Sequence, residues 1–341
     1  MMASEFAEII SSNNMAPLWE VLRGLTPREP LQKVSPTFWR SNTIKENMKL
    51  ACEFISAEDA ERRVLVLENE QLRGKSLATN SLYAGIQMIL PGEIAPSHRH
   101  TASALRLILS GEGGYTTVDG DKVFMSPGDF IITPTGVFHD HGAEGDEPVM
   151  WLDGLDVPVV QMLNCGFSAD DPDHKQEVKY PADYSGTIFG NGLRPISPAP
   201  KRTYGTGSIF HYPYERTYKA LTTMKAAGNF DPCDGIKMTF IDPTTGLSPI
   251  LTMSAFMQLM PEGFRGQTFQ ETDGAVCCVV EGSVSVVIND EPFQFEQHDV
   301  FVLPSWSTRS YESPEGCILF SFSDKCLQEH LGFWQRRVVS N

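Results

Sequence analysis

The sequence is short of positive charge. It carries 27 Lys and Arg residues against 43 Asp and Glu residues, a net charge of −16 over 341 residues. Nucleic acid and anionic membrane surfaces attract positively charged proteins, so an acidic chain matches neither of them. We therefore predict no nucleic-acid partner and no membrane partner. An anionic small-molecule substrate would require locally placed arginines.

Long apolar runs and paired cysteines are also lacking. The longest apolar runs have the length of a β-strand, and the first 13 residues show no basic segment followed by an apolar one. The 7 cysteines are an odd number without a Cys-x-x-Cys pair, a pattern typical of buried thiols in a reducing compartment. These features predict a cytoplasmic protein without a membrane span or a secretory signal.

The beginning of the chain has the spacing of helices. Apolar residues recur at helical intervals over 18–25, and we predict a helix there with Asn14 as its N-cap. A Ser-x-x-Asp capping box predicts a second short helix over 56–63.

From residue 83 the sequence changes to short β-type runs separated by Gly, Pro and Asp. This pattern predicts an antiparallel sandwich or barrel. Asp119-Gly120 between two runs is a strong signal for a two-residue hairpin. The predicted strands are 83–90, 105–109, 115–118, 123–125, 130–133 and 150–155.

An internal repeat relates the two halves of the chain. At an offset of 170 or 171 residues, five landmarks coincide: Gly92 with Gly263, Gln87 with Gln258, Gly111 with Gly282, Asp119-Gly120 with Asn289-Asp290, and Pro134 with Pro304. A near-constant offset across a β-rich segment predicts two copies of one barrel. We predict a helical N-terminal arm (1–78), a first barrel with a metal site (79–165), a linker (166–235), a second barrel (236–325) and a C-terminal tail (326–341).

Histidines cluster in the first copy, where 4 of the 8 fall within 44 residues. His98 and His100 are two residues apart, as are His139 and His141, so on a strand each pair points to one face. If both pairs face the interior of a small barrel, three neutral imidazoles can converge on a divalent transition metal. The spacing therefore predicts a site for iron, zinc, copper or nickel in the first barrel.

Two stretches of the first copy resemble the motifs of the cupin superfamily. They read Gly92-x5-His98-x-His100-x3-Ala104-x6-Gly111 and Gly128-x5-Pro134-x-Gly136-x2-His139. The resemblance implies an all-β, duplicated cupin fold, a double-stranded β-helix or jelly-roll barrel, with a helical N-terminal arm. It also implies His98, His100 and His139 as the metal ligands, with Ala104 at the usual position of a glutamate ligand. Three protein ligands would leave room for a bidentate substrate and dioxygen.

A narrower resemblance surrounds these motifs. The residues that carry it include Ser97-His98-Arg99-His100-Thr101-Ala102-Ser103-Ala104-Leu105-Arg106 and His139-Asp140-His141-Gly142. They are similar to the bicupin gentisate 1,2-dioxygenases, a group that includes salicylate and 1-hydroxy-2-naphthoate dioxygenases. The resemblance covers about 15–338.

This second resemblance implies the chemistry. The expected enzyme is an Fe(II)-dependent dioxygenase that splits an aromatic hydroxy-acid substrate between the hydroxyl-bearing and carboxylate-bearing carbons with O2. Gentisate, cleaved to maleylpyruvate, is the favoured substrate because it is the commonest in the group. Salicylate, a substituted salicylate or 1-hydroxy-2-naphthoate is the alternative. A non-catalytic ligand-binding cupin is the alternative from another class.

Two arginines are the expected carboxylate-binding residues. Arg106 lies an even number of residues from His98, so on a regular strand it points into the barrel, where it can clamp a carboxylate; a surface arginine is the alternative. Arg62 matches a second arginine of the family, in the arm that closes over the site, with Arg63 as its solvated neighbour. An exposed pair of helix arginines remains the alternative for these two.

The resemblance assigns further residues to the pocket. Tyr83, Gly85 and Gln87 match positions of the pocket wall. His141 is expected beside the ligands, as a hydrogen-bond partner of the substrate or as an acid or base near neutral pH. Asp153 matches an acidic position that can orient a histidine. A structural hydrogen bond between His141 and Asp153 or another acid is the alternative.

The second copy departs from the motif. Phe269, Glu271 and Arg309 stand where the first copy has its three ligands, and Cys277 stands in place of Arg106. We therefore expect the second barrel to bind no metal in this way and to serve as a structural or oligomer-forming copy. The resemblance implies a homo-oligomer, a tetramer.

Overall fold

The computed structural model of the chain describes residues 3–193, 195–196, 209–228 and 230–339. Its helices are α1 (Ala3–Ser12), α2 (Leu18–Leu25), α3 (Ser41–Phe54), α4 (Val157–Met162), α5 (Tyr184–Phe189), α6 (Tyr214–Ala227) and α7 (Lys325–Leu331), with a 3₁₀ turn at Glu70–Leu72. In these ranges, none of the helices has both the length and the apolar character to cross a bilayer.

The strands fall into two sets of similar layout. Those before residue 213 are β1 (Phe38–Trp39), β2 (Val64–Val66), β3 (Tyr83–Ile89), β4 (Ile94–His100), β5 (Ala104–Ser110), β6 (Gly114–Val118), β7 (Asp121–Met125), β8 (Phe130–Thr133), β9 (His139–Ala143), β10 (Val149–Leu155), β11 (Ser168–Asp170) and β12 (His211–Tyr212). Those that follow are β13 (Ile236–Thr239), β14 (Ser254–Met260), β15 (Phe264–Arg265), β16 (Phe269–Glu271), β17 (Ala275–Ile288), β18 (Glu291–Glu296), β19 (Val300–Leu303), β20 (Arg309–Ser313), β21 (Cys317–Ser323) and β22 (Arg336–Val338).

The first set forms two antiparallel sheets. One has the order β12-β8-β5-β10-β3-β2 and the other the order β11-β4-β9-β6-β7. The predicted hairpin joins β6 to β7, where Val118 pairs with Asp121. Asp119 and Gly120 both have positive φ (50° and 83°), as the central residues of a type I′ turn require.

The second set repeats this pairing pattern. The partners β14-β21-β17-β19 correspond to β3-β10-β5-β8, and β16-β20-β17-β18 correspond to β4-β9-β6-β7. The long strand β17 takes the place of both β5 and β6 because it runs through both layers, with a bulge between Val279 and Glu281. The equivalent pairing of both halves confirms the predicted duplicated cupin fold.

The large sheets of the two barrels pack against each other and form the main core. Leu105, Leu107 and Leu109 of β5 belong to the same buried cluster as Phe320 and Phe322 of β21. Between them runs an aromatic stack in which the rings of Phe130 and Phe320 are 5.7 Å apart. Burial of large apolar side chains stabilises by about 1.5–3 kcal/mol each, so this interface holds the two barrels together.

The two barrel interiors differ in composition. The apolar cluster inside the second barrel has 15 buried members. Its counterpart inside the first barrel has 9. The rest of the first interior is occupied by buried polar side chains, among them Arg106, His139 and His141. The second interior buries charged side chains as well, Arg309 and Glu271, so among the described residues it is the buried histidines that set the first interior apart.

The N-terminal arm crosses to the second barrel. β1 pairs with β19, and the side chain of Glu29 accepts a hydrogen bond from Trp306 Nε1 at 3.0 Å. The helix predicted over 18–25 is present as α2, but its predicted N-cap and the second predicted helix, over 56–63, were wrong. The N-cap of α2 is Pro17, and Asn14 instead has a left-handed φ of 56°. Residues 56–63 form turns, although the predicted capping-box bond from Asp59 N to Ser56 Oγ is present at 3.0 Å.

The predicted linker and tail contain regular structure that sequence patterning missed. The linker carries α5 and α6, of which α6 buries only Leu221 and therefore shows no apolar periodicity. Its N-terminal amide, Tyr214 N, is bound by the distant carboxylate of Asp129 at 2.8 Å. The tail carries α7 and β22, and β22 pairs with β16 as β11 pairs with β4. Residues 194, 197–208 and 229 of the predicted linker lie outside the described residues.

A partly exposed histidine links the linker to the first barrel. His211 Nε2 lies 2.9 Å from Asp129 Oδ2, and its Nδ1 lies 3.5 Å from Asp183 Oδ1. Burial lowers the pKa of His211, but the hydrogen bonds and charges of the two carboxylates outweigh it and raise the pKa to about 9. His211 is therefore cationic at neutral pH and ties β12, β8 and α5 together.

This ion pair predicts a pH-dependent stability. The pKa of His211 is about 6.5 in the unfolded chain and about 9 in the fold, so its contribution is complete below pH 6.5 and is lost as the pH rises towards 9. We expect His211→Gln to lower the free energy of unfolding by about 3 kcal/mol at pH 6 and by much less at pH 9.5, measured by urea denaturation. His330→Gln, at an exposed histidine of α7, is the control. An equal effect of His211→Gln at both pH values would contradict the assignment.

Candidate metal centre

A one-residue bulge in β4 sets the side of the sheet on which His98 lies. In the pairing of β4 with β9, Ala95 is opposite His141 and His98 is opposite His139, so three steps on β4 match two on β9. Directly opposed residues share a face, so the extra residue at 96–97 brings Ala95 and His98 to the same side. Pro96 suits this place because it has no amide hydrogen to lose from the ladder.

Backbone carbonyls orient the three imidazoles. Each Nδ1 of His98, His100 and His139 lies within hydrogen-bond distance of a carbonyl oxygen, which can only accept, so Nδ1 carries the proton. The acceptors are the carbonyls of Pro96 (2.9 Å), Ala102 (2.6 Å) and Val137 (2.9 Å). The Nε2 lone pairs remain for a ligand, and those of His98 and His139 are buried without a protein partner.

The three rings converge on one point. Their ligand atoms lie within 4.8 Å of one another, and across the described ranges this is the one group of three or more His, Cys, Asp or Glu residues so arranged. Burial lowers the pKa of His98 to about 3, that of His100 to about 4 and that of His139 well below 6.5. Three neutral imidazoles with free, convergent nitrogens fit a divalent transition metal.

Arg106 lies beside the three histidines, inside the barrel. Its neighbours on β5 face the interface between the barrels, so alternation turns the guanidinium inward, as the sequence predicted. Nη1 donates to Thr133 Oγ1 at 2.7 Å and Nη2 to His141 Nε2 at 3.0 Å. Nε lies 3.2 Å from Asp153 Oδ1. Burial lowers the pKa of Arg106, and the charge of Asp153 opposes that shift.

The surroundings of His141 favour its neutral form. Burial, followed by the charge of Arg106, lowers its pKa well below 6.5. Its Nε2 accepts the hydrogen bond from Arg106, so the proton is on Nδ1, which is buried without a protein partner. The expected contact between His141 and Asp153 is replaced by one that both residues make with Arg106.

The two neighbouring arginines of the arm have different surroundings. Arg63, predicted to be solvated, is instead buried and binds Glu93 through both nitrogens, at 2.9 and 2.6 Å. Arg62 lines the cavity, and its Nε is buried without a hydrogen-bond partner. Burial lowers the pKa of Arg62, and the nearby charge of Arg106 adds to that shift.

The histidines open into a cavity of about 660 Å³. Tyr83 and Gln87 of β3 lie in its wall, and burial raises the pKa of the Tyr83 phenol, which is therefore neutral. Gly85 between them provides space, because a Cβ there would lie 2.9 Å from the Tyr83 hydroxyl oxygen and 2.7 Å from Val64 Cγ1. The apolar wall consists of Ala102, Ala104, Leu155, Val157, Val160 and Phe167.

Several site residues were not predicted from the sequence. Thr133 holds Arg106, and alternation along β8 from the inward-facing Ile131 could have identified it. The cavity-wall residues Val157 and Val160 of α4, and Phe167, lie in segments that carry no sequence motif. Their position depends on long-range pairing, since Thr101 N donates to the Phe167 carbonyl at 2.8 Å.

The second barrel fills the corresponding place with charged and aromatic side chains. Arg309 is opposite Phe269 in the ladder, and its Nη2 lies 3.8 Å from Glu271 Oε2. Arg336 of β22 closes the cluster, with Nη2 at 2.9 Å from Asp234 Oδ2.

Asp153 is the counter-charge of the buried Arg106, so its removal should destabilise the fold. We expect Asp153→Ala to lower the free energy of unfolding by about 3–5 kcal/mol, because it leaves a buried cation without its counter-charge. Asp153→Asn, which keeps a hydrogen-bond acceptor, should cost less. Urea denaturation measures both, with the exposed Asp146→Ala as control. A loss below about 1 kcal/mol for Asp153→Ala would show that Arg106 does not need this carboxylate.

Comparison with known proteins places this geometry in a family. Residues 85–156 match the cupin domain family. The chain is 43% identical over 331 residues to gentisate 1,2-dioxygenase 1 of Aquipseudomonas alcaligenes, covering 97% of this chain and 95% of that protein. It is 34% identical to a gentisate 1,2-dioxygenase of Ralstonia sp., covering 98% and 94%.

A solved structure shows the same similarity. Salicylate 1,2-dioxygenase of Pseudoaminobacter salicylatoxidans, solved as adducts with gentisate, superposes with a TM-score of 0.92 at 31% identity, over 99% of this chain and 94% of that one. The predicted cupin fold and the predicted class of ring-cleaving dioxygenase are thereby confirmed. The chain belongs to the gentisate 1,2-dioxygenase family.

Proposed function

We propose that this protein is an Fe(II)-dependent dioxygenase that cleaves gentisate to maleylpyruvate, between the carbons that bear the hydroxyl and carboxylate groups. The proposal rests on one observation. Three convergent imidazoles and two arginines, the buried Arg106 and the half-buried Arg62, line the same cavity. The similarity to gentisate 1,2-dioxygenases over nearly the full chain supports the same assignment.

His98, His100 and His139 are the proposed iron ligands. Their carbonyl-bound Nδ1 atoms hold the rings in the orientation and protonation state that metal binding needs. Ferrous iron supplies the one-electron redox chemistry through which an aromatic ring reacts with dioxygen, which d¹⁰ zinc lacks. Ala104 places a methyl group in the cavity wall, so this position adds no carboxylate ligand.

Arg106 and Arg62 are the proposed binding residues for the substrate carboxylate. Both face the cavity, and the positive charge of Arg106 lowers the pKa of Arg62. A bound carboxylate relieves this repulsion and replaces water that the buried cations have lost. In a chain with a net charge of −16, these two residues provide the local positive charge that an anionic substrate requires.

The remaining polar groups orient the substrate ring. Asp153 and Thr133 hold the Arg106 guanidinium in one orientation, so its remaining N–H groups are proposed to point towards the substrate carboxylate. The unpartnered Nδ1–H of His141 is a proposed donor to a substrate oxygen. The neutral phenol of Tyr83 and the amide of Gln87 are proposed to bond a second ring hydroxyl, with Gly85 leaving room for Tyr83.

The second candidate is a dioxygenase for salicylates or 1-hydroxy-2-naphthoate. It is favoured by the similarity to salicylate 1,2-dioxygenase and by 29% identity to a 5-aminosalicylate 1,2-dioxygenase of Comamonas sp.. We prefer gentisate because Tyr83 and Gln87 in the cavity wall offer polar groups for its second hydroxyl. A non-catalytic binding module has no specific observation in its favour, since the cavity combines a metal-binding geometry with carboxylate-binding groups.

We further propose a cytoplasmic homotetramer. All 7 cysteines are free, and 5 of them are buried, as suits a reducing compartment. α2 has no buried residue and exposes Leu18, Trp19, Leu22 and Leu25, an apolar face of the kind that subunit contacts cover. The proposed units are those predicted from sequence, with the first barrel as the catalytic one and the second as a structural copy.

Oxygen uptake by protein reconstituted anaerobically with Fe(II) tests the proposed reaction. We expect uptake with gentisate, and His98→Ala should lose both bound iron and activity because it removes one of three ligands. The matched control is His330→Gln, at an exposed histidine, which should retain both. Salicylate, 5-aminosalicylate and 1-hydroxy-2-naphthoate complete the substrate panel. Preference for a ring without the second hydroxyl would move the assignment to the second candidate. Bound iron without uptake on any ring would refute ring cleavage.

The carboxylate-binding role of Arg62 predicts a change in KM. Arg62→Gln removes a charge-assisted hydrogen bond of about 1.5–3 kcal/mol, so KM for gentisate should rise roughly 10–100-fold. The metal content should stay at the wild-type level, because Arg62 is not a proposed ligand. Steady-state kinetics at saturating oxygen measure the effect, with the exposed Arg73→Gln as the matched control. An unchanged KM would exclude Arg62 from the binding site.

A further inference from the structure

A segment of the predicted linker lies across the outer side of the metal-ligand strands. This segment, residues 167–176, is called the strap here. Its strand β11 pairs with β4, so that Ser168 is opposite His100 and Asp170 is opposite His98. The strap therefore follows the strand that carries two of the three histidines, on the edge that β9 leaves free.

The strap takes up the hydrogen bonds that the bulge in β4 releases. Ser97, in the bulge, donates its backbone N–H to the carbonyl of His174 at 2.9 Å. The Ser97 carbonyl accepts from Asp171 N at 3.0 Å. The strap thus pairs both backbone groups of the residue that precedes His98, and the carbonyl of Pro96 is left to bind the His98 ring.

A closed triangle of side chains reinforces this contact. Ser97 Oγ donates to Asp171 Oδ2 at 2.9 Å. Gln176 Nε2 donates to Ser97 Oγ at 2.8 Å and to Asp171 Oδ2 at 2.7 Å. Ser97 is almost fully buried, and its two hydrogen bonds in the triangle fix the outward direction of its side chain.

Gln176 also reaches the second ligand strand. Its backbone N–H donates to Asp140 Oδ2 at 2.6 Å. Asp140 is fully buried and lies on β9 between His139 and His141. Gln176 therefore connects the neighbour of His98 on β4 with the neighbour of His139 on β9, from outside the barrel.

We propose that Gln176 and Asp171 are positioning residues of the three-histidine centre. They hold the bulge at Ser97 in the register that turns His98 towards the other two ligands, and they hold β4 and β9 at a fixed separation. This inference rests on the metal site of the proposed function and adds determinants of its geometry that lie outside the cavity. Loss of such supporting contacts around a metal site typically weakens metal affinity 10–100-fold.

The first test uses Co(II) as the probe, bound by the metal-free full-length protein in competition with a chelator. Gln176→Glu places a carboxylate against Asp171 and should weaken Co(II) binding 10–100-fold. The exchanged pair Asp171→Asn/Gln176→Glu restores one amide–carboxylate bond, and the Ser97 hydroxyl can reverse its direction to fit. Its affinity should return to within about threefold of wild type.

Control variants separate positioning from a general loss of stability. Glu177→Gln changes an exposed neighbour that makes none of the contacts above, and its affinity should equal that of wild type. The visible spectrum of the Co(II)-saturated protein reports ligand geometry, and we expect Gln176→Glu to change it while the exchanged pair restores it. Ser97→Ala, which removes the centre of the triangle, is the second variant if Gln176→Glu does not fold.

The outcomes distinguish this inference from the proposed function. Wild-type protein that fails to bind Co(II) would overturn the metal site and, with it, the proposed function. Tight binding by wild type together with an unchanged affinity and spectrum in Gln176→Glu and Ser97→Ala would overturn the role of the strap alone. A weakened affinity that the exchanged pair does not restore would likewise count against the contact between residues 171 and 176.

Discussion

The extra residue at Pro96–Ser97 determines whether the first barrel can have a metal centre. In an unbroken ladder, His98 would lie on the opposite side of β4 from Ala95, and therefore away from His139. The bulge reverses this and frees the Pro96 carbonyl to hold the His98 ring. Every later feature follows from that register: the convergence of three Nε2 atoms, their burial, and the neutral state that burial imposes on the imidazoles.

A second constraint is the cost of burying positive charge next to these histidines. Arg106 is held by one carboxylate, a hydroxyl and an imidazole, while Arg62 has no hydrogen-bond partner for its buried Nε. The site thus contains more cationic than anionic groups. Asp153 compensates the charge of Arg106, and in the proposed function a substrate carboxylate would compensate the charge of Arg62 as well. Burial, followed by the charge of Arg106, lowers the pKa of His141 in the same site.

Sequence reasoning was reliable for features that neighbouring residues along the chain determine. Alternation, the Asp119-Gly120 turn and the offset between the halves predicted strands of the first barrel and the duplication. The inward position of Arg106 was predicted by counting from His98 along one strand, whereas the chain turns between β4, which ends at His100, and β5, which begins at Ala104. Sequence reasoning failed where the determinant was a distant partner. α6 is capped by Asp129 from the first barrel, Arg63 is buried because Glu93 binds it, and the arm pairs with the second barrel through β1 and β19. No pattern within those segments records such partners, and the strap was read as linker for the same reason.

Comparison with the second barrel separates the contribution of the backbone register from that of the side chains at the ligand positions. There, Arg265 is opposite Glu312 and Phe269 is opposite Arg309, so the first strand again has one residue more than its partner. The register that creates a metal site is therefore present in both copies, and the side chains at the ligand positions differ.

An arginine and a glutamate occupy the interior of the second copy, and β22, the counterpart of β11, contributes Arg336 to the same cluster. In both barrels, then, a strand added outside the ligand position contacts the irregular register: through hydrogen bonds to Ser97 in the first copy and through the half-buried cation of Arg336 in the second. This common dependence explains why the segments after each barrel, which look like linker and tail in the sequence, are ordered parts of the fold.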